Sequence, residues 1–116
     1  MDIKLLKKKL SDFAKARNWD RYHNPKNLTM ALASEAGELL DIFLWLTPEE
    51  SQNVKLDKKT KKLVEEETAD IFMYLIRLAD KLDIDLEKAV NEKLKMNSKK
   101  YPVKLAKNNA VKYNRR

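Results

Sequence analysis

Residues 28–46 read Leu28-Thr-Met-Ala-Leu-Ala-Ser-Glu35-Ala-Gly37-Glu38-Leu-Leu-Asp41-Ile-Phe-Leu-Trp45-Leu46 and contain no Lys or Arg. Those two residue types fill 25 of the 116 positions, so a window of this length without one arises by chance only about one time in a hundred. At about 100° per residue, Glu35 and Glu38 fall about 60° apart, with Asp41 and Trp45 in the same broad sector. An amphipathic helix carrying an acidic ridge is therefore predicted, starting at Asn24-Pro25 or Asn27 and running to Leu46. Residues 63–76 repeat the feature: Glu65, Glu66, Glu67 and Asp70 lie among Val64, Ile71, Phe72 and Leu75 with no base between them. Glu67 and Asp70 share the i, i+3 relation, and Tyr74 follows one turn later on their sector.

Working outward, Ile3, Leu6, Leu10, Phe13 and Ala14 make one helical stripe over about residues 2–17. Thr47-Pro48-Glu49-Glu50 has the form of a capping box and predicts a short helix ending near Asn53. Asp57 caps a long pattern from Lys58 to about Leu82, and Asp85 caps a last helix that must stop before Pro102. The fold expected is all-α: a four-helix bundle with one extra short helix. One Gly and three Pro leave little turn chemistry for a β fold, while 43% hydrophobic residues suffice for a core.

Composition also narrows the chemistry. Without Cys there is no disulfide scaffold, thiolate zinc site or cysteine nucleophile, and the lone His23 cannot supply paired Glu-x-x-His iron sites. His23 itself reads as a loop-packing or hydrogen-bonding residue. The longest apolar run, Ile71 to Ile76, is far short of a membrane span, so a soluble cytoplasmic chain with no membrane partner is expected. The net charge of +7 is uneven, because Lys104, Lys107, Lys112, Arg115 and Arg116 lie beyond residue 102 with no acid among them. Residues 1–102 form the expected domain and 103–116 a basic, frayed or loosely docked tail. Nucleic acid is not the expected partner, since no folded motif supports one.

If the two acidic ridges face each other across a bundle seam, Glu35, Glu38, Glu67 and Asp70 converge. Two carboxylates about 5.5 Å apart repel by roughly 3 kcal/mol at an effective dielectric of 20, so the arrangement calls for a counter-ion. All-oxygen ligation favours Mg²⁺, with Mn²⁺ as an alternative, and magnesium sites commonly take substrate phosphates. The plain alternative is an ordinary solvated acidic face. Gly37, the only glycine, sits mid-helix between the two glutamates and suggests that something approaches closely there.

Trp19 with Tyr22-His23-x-Pro25-Lys26-Asn27-Leu28, then Glu35-x-x-Glu38-Leu39, Glu66-Glu67-x-x-Asp70-x-x-x-Tyr74 and Lys93-x-x-x-Asn97-x-x-x-Tyr101-Pro102, resembles the MazG-like all-α nucleoside triphosphate pyrophosphatases, closest to their dCTP pyrophosphatase branch. The resemblance covers about residues 3–102 and leaves the basic tail outside. It implies Mg²⁺ held by Glu35, Glu38, Glu67 and Asp70, and attack of a metal-activated water on the α-phosphorus, with Glu38 orienting or deprotonating the water. Hydrolysis of a (deoxy)nucleoside triphosphate to monophosphate and pyrophosphate follows, with dCTP or a modified dCTP the expected substrate and cleansing of the nucleotide pool the expected role. The last helix offers Lys93, Asn97 and Lys100 at i, i+4 and i+7, with Tyr101 close by. The resemblance favours Lys93 and Asn97 as phosphate and sugar contacts over a merely solvated face. Trp19, Trp45 and Tyr74 are candidate walls for base and sugar, because flat aromatic surfaces stack on nucleobases. Some relatives carry a histidine at the position of Leu10, which leaves the base open. Family assembly into dimers and tetramers implies a homodimer or homotetramer. The rival reading is a non-catalytic helical interaction module whose basic tail touches nucleic acid.

Overall fold

Each long helix starts at a side chain that stands in for a missing backbone partner. Asp2 Oδ1 accepts from the Leu5 N–H at 3.0 Å, Asn24 Oδ1 from Asn27 at 2.9 Å, Asp57 Oδ1 from Lys59 at 3.3 Å and Asp85 Oδ1 from Lys88 at 3.1 Å. In the computed structural model, which describes residues 1–115, these caps open α1 (Ile3–Ala16), α2 (Pro25–Phe43), α4 (Lys58–Lys81) and α5 (Leu86–Lys100). The short α3 (Pro48–Asn53) carries the expected capping box, with Glu50 N–H donating to Thr47 Oγ1 and Thr47 N–H to Glu50 Oε1. A last turn, α6 (Val103–Ala106), follows Pro102. The described residues are all-α, without a strand.

Helix ends in a chain with one glycine need another residue in the left-handed region, and Asn18 (φ 56°) and Asp83 (φ 54°) fill that role after α1 and α4. At the end of α1 the Trp19 N–H donates to the Ala14 carbonyl at 2.8 Å and the Asn18 N–H to that of Lys15 at 3.0 Å, so carbonyls of the last turn are satisfied. α2 ends at Phe43 rather than at Leu46. Thr47 precedes Pro48 and is extended (ψ 161°), as that position demands, and the chain must unwind ahead of it.

Two compact units are present, Met1–Asp83 and Ile84–Arg116. In the first, α4 is the central element, packed along α2 and against α1. Its core is small: among the described residues only Ala14, Leu28, Ile76 and Ala79 are fully buried apolar side chains. The link between α1 and α2 is tied to α4 by charge. Arg77, 3% exposed, and Lys81 both reach Asp20 Oδ1, at 2.9 and 2.8 Å. Lys81 first and Arg77 second hold the Asp20 carboxyl below its ordinary value. Their contribution to stability is therefore present above that ordinary value and is lost as pH falls through the lowered one.

In the second unit, the segment after Pro102 carries short helical turns. Besides α6 it holds a turn at Tyr113–Arg115, and the Tyr113 ring meets Tyr101 edge-on at 5.9 Å.

Apart from its own chain neighbours and the adjoining helix backbone, no described atom lies within 4 Å of where a Cβ on Gly37 would stand, so close packing against another element does not account for this glycine. Its φ is not positive, and an alanine would fit the helix. Gly37→Ala is expected to stabilise the protein by about 0.5–1 kcal/mol, read as a higher melting temperature. A lower one would show that another molecule occupies the space.

Candidate active site

α2 and α4 pack side by side, which brings the two acidic ridges onto one seam. Carboxylate oxygens of Glu35, Glu38 and Glu67 all lie within 4.8 Å of one another. Glu35 and Glu67 are half-buried and Glu38 is exposed. The i, i+3 spacing on α2 places the first pair, and the helix pairing supplies the third member. At such separations each pair repels by about 3 kcal/mol at an effective dielectric of 20. No base offsets this: Glu35 Oε2 and Glu67 Oε2 are buried and have no hydrogen-bond partner.

The consequence appears on Glu35, whose pKa is raised from 4.5 to about 7. A proton shared with Glu67 is the main cause, followed by loss of solvent and by the neighbouring Glu38. A hard divalent cation fits this donor set, since it would neutralise three clustered carboxylates and occupy the two stranded oxygens. Asp70, one turn beyond Glu67, is half-buried and borders an adjoining cavity; it is not among the oxygens that converge within 4.8 Å.

That cavity encloses about 480 Å³ between α1, the following loop and α4. Leu10, Phe13, Trp19 and Met73 give it apolar walls, and Asp70 and Tyr74 lie on the α4 side. Its volume is in the range of small-molecule sites. Tyr74 connects the cavity to the acidic seam. Burial first, and then the charges of Glu35 and Asp70, push its phenol pKa upward, which keeps the hydroxyl protonated at neutral pH.

Of the aromatic residues singled out in the sequence, Trp19 and Tyr74 line the cavity. Trp45 lies past the end of α2, is 88% exposed and does not line it. Lys93 and Asn97 are on α5 and Tyr101 is its C-cap, all within the second unit; there the Tyr101 N–H donates to the Asn97 carbonyl at 2.8 Å. Lys9, His23, Met73 and Arg77 line the cavity without having been singled out as site residues, and Leu10 and Phe13 were assigned to a packing stripe. A signal for one of them was available. Arg77 directly follows the apolar run Ile71 to Ile76 on a long helix, where a cation needs a partner.

A family model described as the MazG-like family matches residues 30–115. The matched range includes the basic segment as far as residue 115. Curated relatives include dCTP pyrophosphatase 1 of Rattus norvegicus, 37% identical over 103 residues, covering 89% of this chain and 61% of the relative. The Homo sapiens protein of the same name is 36% identical over the same lengths. The chain therefore spans about three fifths of the length of these relatives. Among solved structures, a pyrophosphatase from Archaeoglobus fulgidus superposes with a TM-score of 0.78 at 37% identity, covering 85% of this chain and 91% of that one.

Because the folded pKa of Glu35 is raised, the metal-free protein is most stable while that carboxyl is protonated, and it loses stability as pH rises through about 7. A cation bound at this cluster would have to displace that proton. Calorimetric titration with Mg²⁺ is expected to show tighter binding at about pH 8 than at about pH 6, with proton release to the buffer. Glu35→Gln should remove that release and raise the metal-free melting temperature at the higher pH.

Proposed function

The chain belongs to the MazG-like family, and from that premise we propose that it hydrolyses (deoxy)nucleoside triphosphates to the monophosphate and pyrophosphate, with dCTP or a modified dCTP as substrate and Mg²⁺ as the cation. The observation that carries this reading is the pair of stranded oxygens, Glu35 Oε2 and Glu67 Oε2, beside a cavity large enough for a nucleobase. Glu35, Glu38 and Glu67 would hold the cation, with Asp70 as a fourth ligand. A cation there supplies charge neutralisation at the phosphates and acidifies water.

The chain's own groups then divide the work. Trp19, part-exposed at the cavity, offers a stacking face to the base. The Tyr74 phenol, kept protonated, donates a hydrogen bond toward sugar or phosphate. Glu38, the most exposed of the three clustered carboxylates, takes the proton of the attacking water. The water oxygen bonds to the α-phosphorus, the bond from that phosphorus to the α–β bridging oxygen breaks, and pyrophosphate leaves. The proposed roles of Trp45, Lys93, Asn97 and Tyr101 rest on the motif resemblance alone.

Assembly into a homodimer or homotetramer belongs to the same proposal. It is supported by the small core and by Met30, Leu40 and Leu44, which are 63%, 58% and 51% exposed. No described helix is long and apolar enough to cross a membrane. Action on the nucleotide pool of the cytoplasm completes the reading.

Purified protein with dCTP and Mg²⁺ is expected to release pyrophosphate, and in ¹⁸O-water the label should appear in the monophosphate. Label in pyrophosphate instead would place the attack elsewhere. Glu38→Gln should reduce turnover at least about a hundredfold with unchanged helical circular dichroism. Binding without turnover across a panel of common and modified triphosphates would favour the interaction-module reading.

A further inference from the structure

The carboxylate chemistry uses neither the one histidine nor the buried arginine, yet both line the cavity. Arg77 is held on several sides. Its Nη2 donates to Asp20 Oδ1 at 2.9 Å, its Nη1 lies 3.5 Å from Asp80 Oδ2, and its Nε donates to His23 Nδ1 at 3.2 Å. His23 is positioned from its other side by its own backbone N–H, which donates to the Asp20 carbonyl at 3.1 Å. The whole arrangement joins the Asp20–Tyr22 turn to α4.

A guanidinium has donors only and does not lose its proton. The imidazole nitrogen that faces it must therefore present a lone pair, which leaves the single ring proton of the neutral histidine on Nε2. Burial first, and then the positive charge of Arg77, hold His23 below its ordinary pKa, so the ring stays neutral at pH 7. No described residue accepts the Nε2 proton. The ring thus brings to the cavity a donor that cannot switch to an acceptor without breaking the Arg77 contact.

We propose that His23 is a specificity-determining residue: in the tautomer that Arg77 imposes, its Nε2–H reads a carbonyl oxygen on the pyrimidine base held against Trp19. This rests on the reading of the cavity as the base site. The remaining polar groups around the cavity divide the other tasks: Lys9 is a second donor, Asp70 an acceptor, and the Tyr74 hydroxyl either. A pyrimidine with a 2-carbonyl places its acceptor on a fixed donor. A base edge that offers only an amino group there would leave two donors facing each other, with neither satisfied.

Because the chain has one histidine, its two imidazole ¹⁵N signals are unambiguous. Between about pH 7 and 8 the full-length protein is expected to show the lone pair on Nδ1 and the proton on Nε2. Addition of dCMP without metal, which allows no turnover, should shift the Nε2–H signal, and deoxyribose 5-phosphate should not. His23→Leu should weaken dCMP binding about tenfold, whereas His23→Gln, which keeps a donor, should recover most of the loss. For an analogue with C–H in place of the 2-carbonyl, wild type and His23→Leu should bind equally. Unchanged Mg²⁺ affinity and circular dichroism in both variants would separate lost recognition from lost folding.

A proton on Nδ1 in the free protein, or equal dCMP affinity in wild type and His23→Leu, would overturn the proposal, as would the absence of dCMP binding. Turnover of dCTP together with any of these results sinks the histidine's role and leaves the reaction standing. A dCMP contact at His23 without turnover of any triphosphate does the reverse.

Discussion

Repulsion between carboxylates across the seam of α2 and α4 is the constraint around which the first unit is arranged. Helix pairing is ordinarily driven by apolar side chains that meet, yet here it also forces Glu35, Glu38 and Glu67 together, with their oxygens within 4.8 Å and two of them cut off from any donor. The fold tolerates this because Glu35 keeps its proton up to about pH 7 and because the cluster opens to solvent at Glu38. A cation bound there, as proposed, would take the place of that proton, and the same crowding would set the affinity for either.

The same helix carries the opposite arrangement ten residues on, about 15 Å along its axis. Arg77 is more deeply buried than any of the three clustered glutamates, but it is fully engaged, with Asp20, His23 and Asp80 around it. The acidic cluster lacks partners and so invites a ligand, whereas the basic cluster is complete and so holds its loop in place. The cavity lies where α1, the loop and α4 meet, with Tyr74 and Asp70 toward the acidic cluster and His23 and Arg77 toward the basic one. On the proposed reading, one end takes the phosphates and the other the heterocycle.

Much of this was legible in the sequence, because its determinants are local. The caps Asn24, Thr47 with Glu50, Asp57 and Asp85 each sit one residue before a helix, and each makes its bond within the next three residues. The acidic ridges followed from spacing and from the absence of bases. What periodicity could not supply is whether an inward stripe meets matter or space. Leu10 and Phe13 belong to the apolar stripe of α1, and they line a cavity instead of a core. Nor could it connect Arg77 with His23 and Asp20, which lie 54 and 57 residues away. Trp45 was grouped with the acidic ridge by angle, but α2 ends two residues before it and the geometry that justified the grouping ends there too.

The self-contained helix ends have a kinetic consequence. Start signals lie within three residues of the groups they satisfy, and Asn18 and Asp83 close α1 and α4 with bonds spanning at most five residues. Little loop-closure entropy is spent before the first stabilising contacts form, a pattern that places helical chains of this size among those that fold in microseconds to milliseconds. Helix formation here needs no tertiary contact, and the pairing of α2 with α4 is the step that brings like charges face to face.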